Sequence, residues 1–421
     1  MFDEDYNIVY ETSKNCIEIK DEDGFPCDNI ETMTQWIKEN LHEKLRDDAF
    51  EIKALNFSTY GASFVHLNNE GEPLTPLYNY LKPFPEEIDN KFYSTYGSKE
   101  QIAVETASPA LGMLNSGLQL YWLKYIRPEI FDQTVVSLHL PQYLAYLFHG
   151  KHLSDITSIG CHTALWDFEK NEYHFWVGAE IIDQKLAPLF SCDEVVHAEL
   201  DSKELLCGVG LHDSSAAFIP YIQSVKEPFL LISTGTWCIT MNPFNNSPLT
   251  VEELQQDCLS YMTYKGTPVK ASRLFAGYEH EQETKKMAVH FNTDLKYFVQ
   301  VKYDPEMVTA SGFNTEAGGV FNCENYATYE ESYHQLISKL VKQQKKSTDL
   351  VLLNSPVKKI FVDGGFAKND IYMNLLAKAY PGYEVYAASV SQATALGAAL
   401  SIHQHWNTQS LPENLIEVKR Y

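Results

Sequence analysis

Phe229-Leu-Leu-Ile-Ser-Thr-Gly-Thr-Trp237 joins four consecutive apolar residues to a glycine flanked by two threonines. A short apolar run cut by such a turn signal reads as a buried strand entering a tight bend, and Ile239 to Met241 continues as a returning strand. The same construction recurs at Lys359-Ile-Phe-Val-Asp-Gly-Gly-Phe-Ala-Lys-Asn369. Between and after these bends the periodicity predicts helices over 329–343, 371–380 and 392–403 and a short strand over 384–386. Strands alternating with helices define an α/β architecture. In each bend, backbone N–H groups can face a phosphate, and the hydroxyls of Thr234 and Thr236 can add donors. Gly364 and Gly365 would let a nucleotide approach the backbone closely. A third segment, Ser391-Gln-Ala-Thr-Ala-Leu-Gly-Ala-Ala-Leu400, carries small residues suited to seating a helix tightly on a sheet. Taken singly, a glycine after a strand is more often plain turn punctuation than a phosphate cradle. Neither GxxxxGK[ST] nor GxGxxG is present, which disfavours a P-loop kinase and a Rossmann dehydrogenase.

The first half reads more loosely. A strand is expected at 6–10, a polar turn at Asp21-Glu-Asp-Gly24 and an amphipathic helix over 30–45, with Met33, Trp36, Ile37 and Leu41 at helical spacing. Strands at 49–58 and 63–67 read as a hairpin. Helices follow at 111–126 and 139–148, then a strand at 205–211. That last strand enters Cys207-Gly-Val-Gly-Leu-His-Asp-Ser-Ser-Ala-Ala217. An Asp in a glycine-flanked loop between strand and helix has two readings: Asp213 is a helix N-cap, or it faces a cleft as a general base. His212 beside it can contact a polyol or satisfy a backbone group.

The chain has 421 residues, enough for two or three domains. Its 33 basic against 56 acidic residues, a formal charge of −23, argue against nucleic acid or an anionic membrane as main partner. No apolar stretch is long enough to span a bilayer, and the start lacks the basic and apolar segments of a secretory signal. The eight cysteines are scattered with no CxxC pair, so the expectation is free thiols in a reducing cytoplasm, with no disulfide frame and no zinc site. Abundant carboxylates alone suggest a glycoside hydrolase, but no spacing selects the facing pair such an enzyme needs.

The order Asp loop, STGTW, DGGxxxN, ATALGAAL resembles the FGGY family of carbohydrate kinases, and within it the rhamnulokinases and their relatives. The resemblance runs over nearly the whole chain. It implies an α/β fold of two ribonuclease-H-like domains of the actin and sugar-kinase type around a central cleft, with residues 1–224 binding sugar and 225–421 binding ATP. It implies ATP-dependent phosphorylation of a sugar hydroxyl, a ketose or deoxy-ketose such as rhamnulose, with ATP and Mg2+ as cofactors and a cytoplasmic location. A homodimer is left open. Asp213 matches the general base, and His212 and Ser214 match sugar-contacting neighbours. Gly61, after Ser58-Thr-Tyr60, matches a sugar-binding glycine. Thr234, Gly235 and Thr236 match the phosphate side of the ATP site. Gly364 and Gly365, with Asn369 beside them, match the adenosine-side turn, and Gln282, five residues after Gly277, matches a nucleotide-side glutamine.

Three departures accompany the resemblance. Phe366 stands where related sequences carry a third glycine, which is expected to reshape the adenine slot. Pro76-Leu-Tyr-Asn-Tyr80 replaces a Trp-x-Asp-x-Arg segment, removing charged sugar contacts. The start, Met1-Phe-Asp-Glu-Asp-Tyr-Asn-Ile-Val-Tyr10, resembles the tail of the family's second strand, so the first strand and its Asp-x-Gly-Thr phosphate loop are expected to be missing from these residues. A start codon assigned too late is the favoured explanation over a degenerate copy. The alternative function is a catalytically impaired or non-catalytic sugar- or nucleotide-binding member of the same fold.

Overall fold

The computed structural model describes residues 1–309 and 321–421. The second half is built on one seven-stranded sheet, ordered 258–262, 268–274, 238–242, 229–234, 359–364, 384–389, 417–420. Phe229–Thr234 lies at its centre. It runs parallel to Lys359–Gly364 on one side and antiparallel to Cys238–Asn242 on the other. Phe229 through Ile232 are all buried, because helices cover both faces of the sheet. Burial on both faces explains an unbroken apolar run where a half-exposed strand would alternate. The strands Lys359–Gly364 and Glu384–Ser389 continue the parallel order, so both glycine bends leave the sheet at the same edge of its central strands.

The helix Tyr329–Leu352 covers one face of this sheet. Apolar periodicity ends it at 343, nine residues short. The remaining turns bury polar groups instead: Gln344 Nε2 donates to Thr240 Oγ1 at 2.9 Å, and Ser347 and Thr348 are also buried. An apolar pattern cannot register a helix face that docks through hydrogen bonds.

The opposite face of the sheet is covered in part by the helix Asp213–Ser224, whose Phe218 and Tyr221 pack with Phe229, Leu231 and Phe361. A second side of this helix meets the helix Ala393–Ser401. The small residues of that segment therefore serve helix-on-helix contact, not the helix-on-sheet contact that the sequence suggested. A Cβ added at Gly397 would stand 1.8 Å from the Ala216 carbonyl oxygen. The bridging helix thus belongs structurally to both halves. The Tyr221 ring is fully buried and its hydroxyl donates to Asp363 Oδ2 at 2.9 Å, while 226–227 are the exposed residues of the connection that follows.

The first half holds shorter strands. The helix Ile30–Leu45 forms as expected, with Asn29 Oδ1 accepting from Thr32 N at its start. Residues 6–10 form no strand beyond an isolated bridge between Phe2 and Ile8. The expected hairpin of 49–58 and 63–67 is also absent. Ala54–Leu55 and Ser58–Thr59 pair in parallel with Leu206–Cys207 and Leu211–His212, whereas Phe64–Leu67 pairs antiparallel with Val136–His139. All four residues of Phe64–Leu67 are buried, and such a strand takes partners from distant sequence that a local turn signal does not reveal. No helix among the described residues is long and apolar enough to cross a membrane.

Two histidines sit deep in this half. His66 Nδ1 lies 2.8 Å from Ser137 Oγ, and His139 Nε2 lies 2.9 Å from Ser116 Oγ, with the Phe64 ring stacked on His139 at 3.9 Å. Burial lowers each to about 3 from an ordinary value near 6.5. The unfolded chain takes up a proton on each below pH 6.5, while the folded chain keeps both neutral. Their stability contribution is therefore full above pH 6.5 and is lost as pH falls toward 3, at about 1.4 kcal/mol per pH unit for each ring. The urea midpoint is expected to fall between pH 6.5 and 5, above the main carboxylate range, and His66→Gln is expected to flatten the slope. An equal slope in that variant removes the assignment.

Candidate functional site

The strand Leu211–His212 ends where the bridging helix begins, and the approach depends on Gly210. Its φ is +88°, and an added Cβ would lie 2.4 Å from the Pro141 carbonyl oxygen. His212 N donates to Thr157 Oγ1 at 3.0 Å, which fixes the last strand residue. The His212 ring is buried. Its Nε2 lies 3.2 Å from Cys161 Sγ and 3.4 Å from Asp213 Oδ1. Gly61 lies directly under this ring: an added Cβ would stand 2.8 Å from His212 Cδ2. Gly61 and His212, 151 positions apart, are thereby brought into contact by the parallel pairing of their strands.

Asp213 is the first helical residue, and His212 takes the cap position. One carboxylate oxygen, Oδ1, accepts from Ser214 N at 2.6 Å and from Ser214 Oγ at 3.3 Å. The other, Oδ2, has no hydrogen-bond partner among the described residues, and the side chain is 41% exposed. The two sequence readings of Asp213 are thus compatible: one oxygen steadies the helix start, the other stays open.

The second domain contributes two groups to the same neighbourhood that sequence reasoning missed. The Tyr261 ring lies 6.1 Å from the His212 ring. Burial pushes the Cys161 thiol and the Tyr261 phenol well up. The Asp213 carboxylate adds to both shifts and the Arg273 guanidinium opposes both. Asp213 from the first half and Arg273 from the second therefore act on the same buried groups. Arg273 stands opposite Ile239 in the sheet, with its guanidinium 5.3 Å from the Trp237 ring, next to the STGTW bend. It is also held by Asp257 at 2.9 Å. No spacing in the sequence joins residues 161, 213, 261 and 273; sheet order pairs the strands of 261 and 273, and helix docking brings up 161 and 213.

The two glycine bends touch each other. Gly364 has φ +86°, and its α-carbon sits where a Cβ would stand 2.1 Å from the Thr234 carbonyl oxygen. Gly365 N donates to that same oxygen at 2.8 Å. The Thr234 hydroxyl donates to the Asp363 carbonyl at 2.5 Å and accepts from Phe366 N at 2.9 Å. It ties one bend to the other. Asn369 holds local backbone likewise. Its Oδ1 accepts from Ile371 N and Tyr372 N as a helix cap, and its Nδ2 donates to Tyr333. Phe366 turns inward, stacked on Tyr372 at 4.6 Å, so it lies in the core and not in an open slot beside the bend.

Gly235, Thr236, Gly364 and Gly365 remain exposed on the outer side of the bends. The helix Ala276–His290 starts against the first of them: a Cβ at Gly277 would stand 1.9 Å from the Gly235 carbonyl oxygen, and Tyr278 N donates to the Thr236 carbonyl at 3.1 Å. Gln282 lies half-buried in the second turn of this helix. An exposed ladder of Trp237, Phe275 and Tyr278, with rings 4.3 and 4.5 Å apart, flanks the bend. A pocket of about 430 Å³ opens beside the second bend, lined in part by Asp363, Gly364, Lys368, Ser389 and Lys419. Asp363 is steadied there by Tyr221 and by Gly364 N at 2.6 Å, and burial raises its carboxyl.

Residues 1–214 match the N-terminal domain of the FGGY family of carbohydrate kinases, and residues 226–410 match the FGGY carbohydrate kinase C-terminal domain. The chain belongs to the FGGY family of carbohydrate kinases. The bridging helix falls at the junction of the two matched stretches. A rhamnulokinase from Halalkalibacterium halodurans is 26% identical over 245 residues, covering 56% of this chain and 50% of the relative. A rhamnulokinase from Oceanobacillus iheyensis is 24% identical over 232 residues, covering 52% and 47%. The matched part spans about half the length of these curated relatives.

The fold has close solved counterparts. A carbohydrate kinase from Novosphingobium aromaticivorans superposes with a TM-score of 0.80 at 22% identity, covering 100% of this chain and 93% of that one. A ligand-bound xylulose kinase from Lactobacillus acidophilus gives 0.76 at 15% identity, covering 98% and 88%. A glycerol kinase from Plasmodium falciparum with ADP gives 0.74 at 16%, covering 96% and 87%. These likenesses establish the two-domain sugar-kinase fold.

Proposed function

We propose that this protein transfers the γ-phosphoryl group of ATP to a hydroxyl of a small sugar, with Asp213 as the general base. The observation that carries the reading is the half-exposed Asp213 carboxylate. It keeps one unbonded oxygen at the helix start, beside His212. A carboxylate so held can take the proton of a sugar hydroxyl as it attacks phosphorus, a contribution of about 10²–10⁴-fold in such reactions. His212, Ser214 and Gly61 form the sugar side. Gly235, Thr236, Gly364 and Gly365 offer backbone to the nucleotide, with Gln282 on the same side. Mg2+ arrives as part of the ATP substrate complex and neutralises the transferring phosphates. Arg273, paired with Asp257 beside the Trp237 ring, supplies a positive charge next to the first bend.

The named relatives favour a ketose of the rhamnulose class as acceptor. The absence of charged side chains in Pro76-Leu-Tyr-Asn-Tyr80 favours an acceptor recognised through hydroxyls and apolar contact. Coupled ADP release with Mg-ATP, screened over ketoses, aldoses and polyols, tests the reading. Release that rises with one sugar class supports it. Folded protein that binds ATP or sugar without any sugar-dependent release overturns it in favour of a binding role.

A further inference from the structure

We propose that Cys161, His162 and His212 form a binding site for a single zinc-class divalent cation, separate from the Mg2+ that accompanies ATP. One ligand atom from each residue, the cysteine sulfur and a ring nitrogen of each histidine, falls within 4.8 Å of the others. Cys161 Sγ and His212 Nε2 are already 3.2 Å apart. Zinc bonds of about 2.0–2.1 Å to nitrogen and 2.3 Å to sulfur place tetrahedral ligand atoms roughly 3.3–3.6 Å from one another. Only His162 has to move, by about an ångström, to close the set. One sulfur and two imidazole nitrogens suit zinc, cobalt or copper and are poor ligands for Mg2+.

Independent features of the site point the same way. His162 Nδ1 is shut off from solvent and has no hydrogen-bond partner among the described residues. His162 also holds a φ of +40°, unusual outside glycine, with its carbonyl accepting from Asn115 Nδ2 at 2.7 Å. Strained backbone of this kind is kept where surroundings over-determine a position. The charges facing the thiol are the carboxylates of Asp213 and Asp155 and the guanidinium of Arg273. Two negative groups against one positive favour a cation. Three protein ligands leave a fourth position, and Asp213 Oδ1, 3.4 Å from His212 Nε2, is the neighbouring oxygen on that side. The cysteine spacing gave no zinc site because the ligands are a Cys-His dipeptide and a histidine 50 positions further on.

The test is titration of the reduced full chain with Co2+ in excess Mg2+. One equivalent is expected to bind, to give a thiolate-to-cobalt charge-transfer band in the near ultraviolet, and to be displaced by Zn2+. Cys161→Ser is expected to abolish the band. His162→Asn, chosen because Asn tolerates the left-handed backbone, is expected to weaken Zn2+ binding by more than the ~10–100-fold that outer partners of a metal ligand contribute. Far-ultraviolet circular dichroism confirms that each variant is folded. No band in folded wild-type protein, a band that survives in Cys161→Ser, or complete displacement of Co2+ by Mg2+ overturns the site.

Discussion

Asp213→Asn is expected to lower sugar-dependent ADP release by about 10²–10⁴-fold while leaving ATP binding and thermal stability nearly unchanged. The reason lies in the two carboxylate oxygens. Oδ1 accepts from Ser214 N, a bond that the Asn side-chain oxygen can also accept, so the start of the bridging helix stays intact. What the substitution removes is the charge on the open oxygen and its capacity to take a proton. The drop is expected in kcat more than in KM, because the lost interaction forms as the hydroxyl proton leaves. Isothermal titration with an ATP analogue, together with a melting curve, separates this from unfolding. An Asn variant within about twofold of wild-type turnover excludes Asp213 as base.

Gly397→Ala is expected to cost about 1–3 kcal/mol of stability, and to depress turnover as well, although residue 397 touches no substrate. The new methyl would occupy space 1.8 Å from the Ala216 carbonyl, so the helix Ala393–Ser401 must retreat from the bridging helix. Asp213 lies one turn before Ala216 on that helix, and a small displacement of a positioned catalytic group is costly. Gly382→Ala is the control. It lies in an exposed turn where an added Cβ meets nothing within 4 Å, so near-neutral stability is expected. The comparison is read from urea midpoints and from kcat. Equal midpoints for the two variants show that the helix pair yields without strain.

The contact at Gly397 also shows why the functional reading from sequence was partly right for a partly wrong reason. The stripe of small residues in Ala393–Ser401 was visible, and so was its purpose of close approach. Its partner was not, because Ala216 is 181 positions earlier and the preference for small residues is the same against a sheet or a helix. Thr234 and Asn369 show a related limit. Hydroxyl and amide side chains beside a glycine bend are suited both to a phosphate and to the bend's own backbone. Only their partners in the folded chain, Asp363 and Phe366 for Thr234, and the Ile371 and Tyr372 amides for Asn369, show that they hold the turn.

The amino-acid order alone determined the α/β character of the second half, the two glycine bends and the loop carrying Asp213. Those features are local: four apolar residues in a row cannot be left in water, and glycine marks the places where backbone must turn or approach closely. The folded molecule alone decided which bends meet, that the helix after Asp213 belongs to both halves, and that Tyr261, Cys161 and His162 gather around His212 next to that carboxylate. Those relations come from strand order and helix docking between segments tens to hundreds of residues apart, and burial there is non-directional: it favours contact without naming the partner.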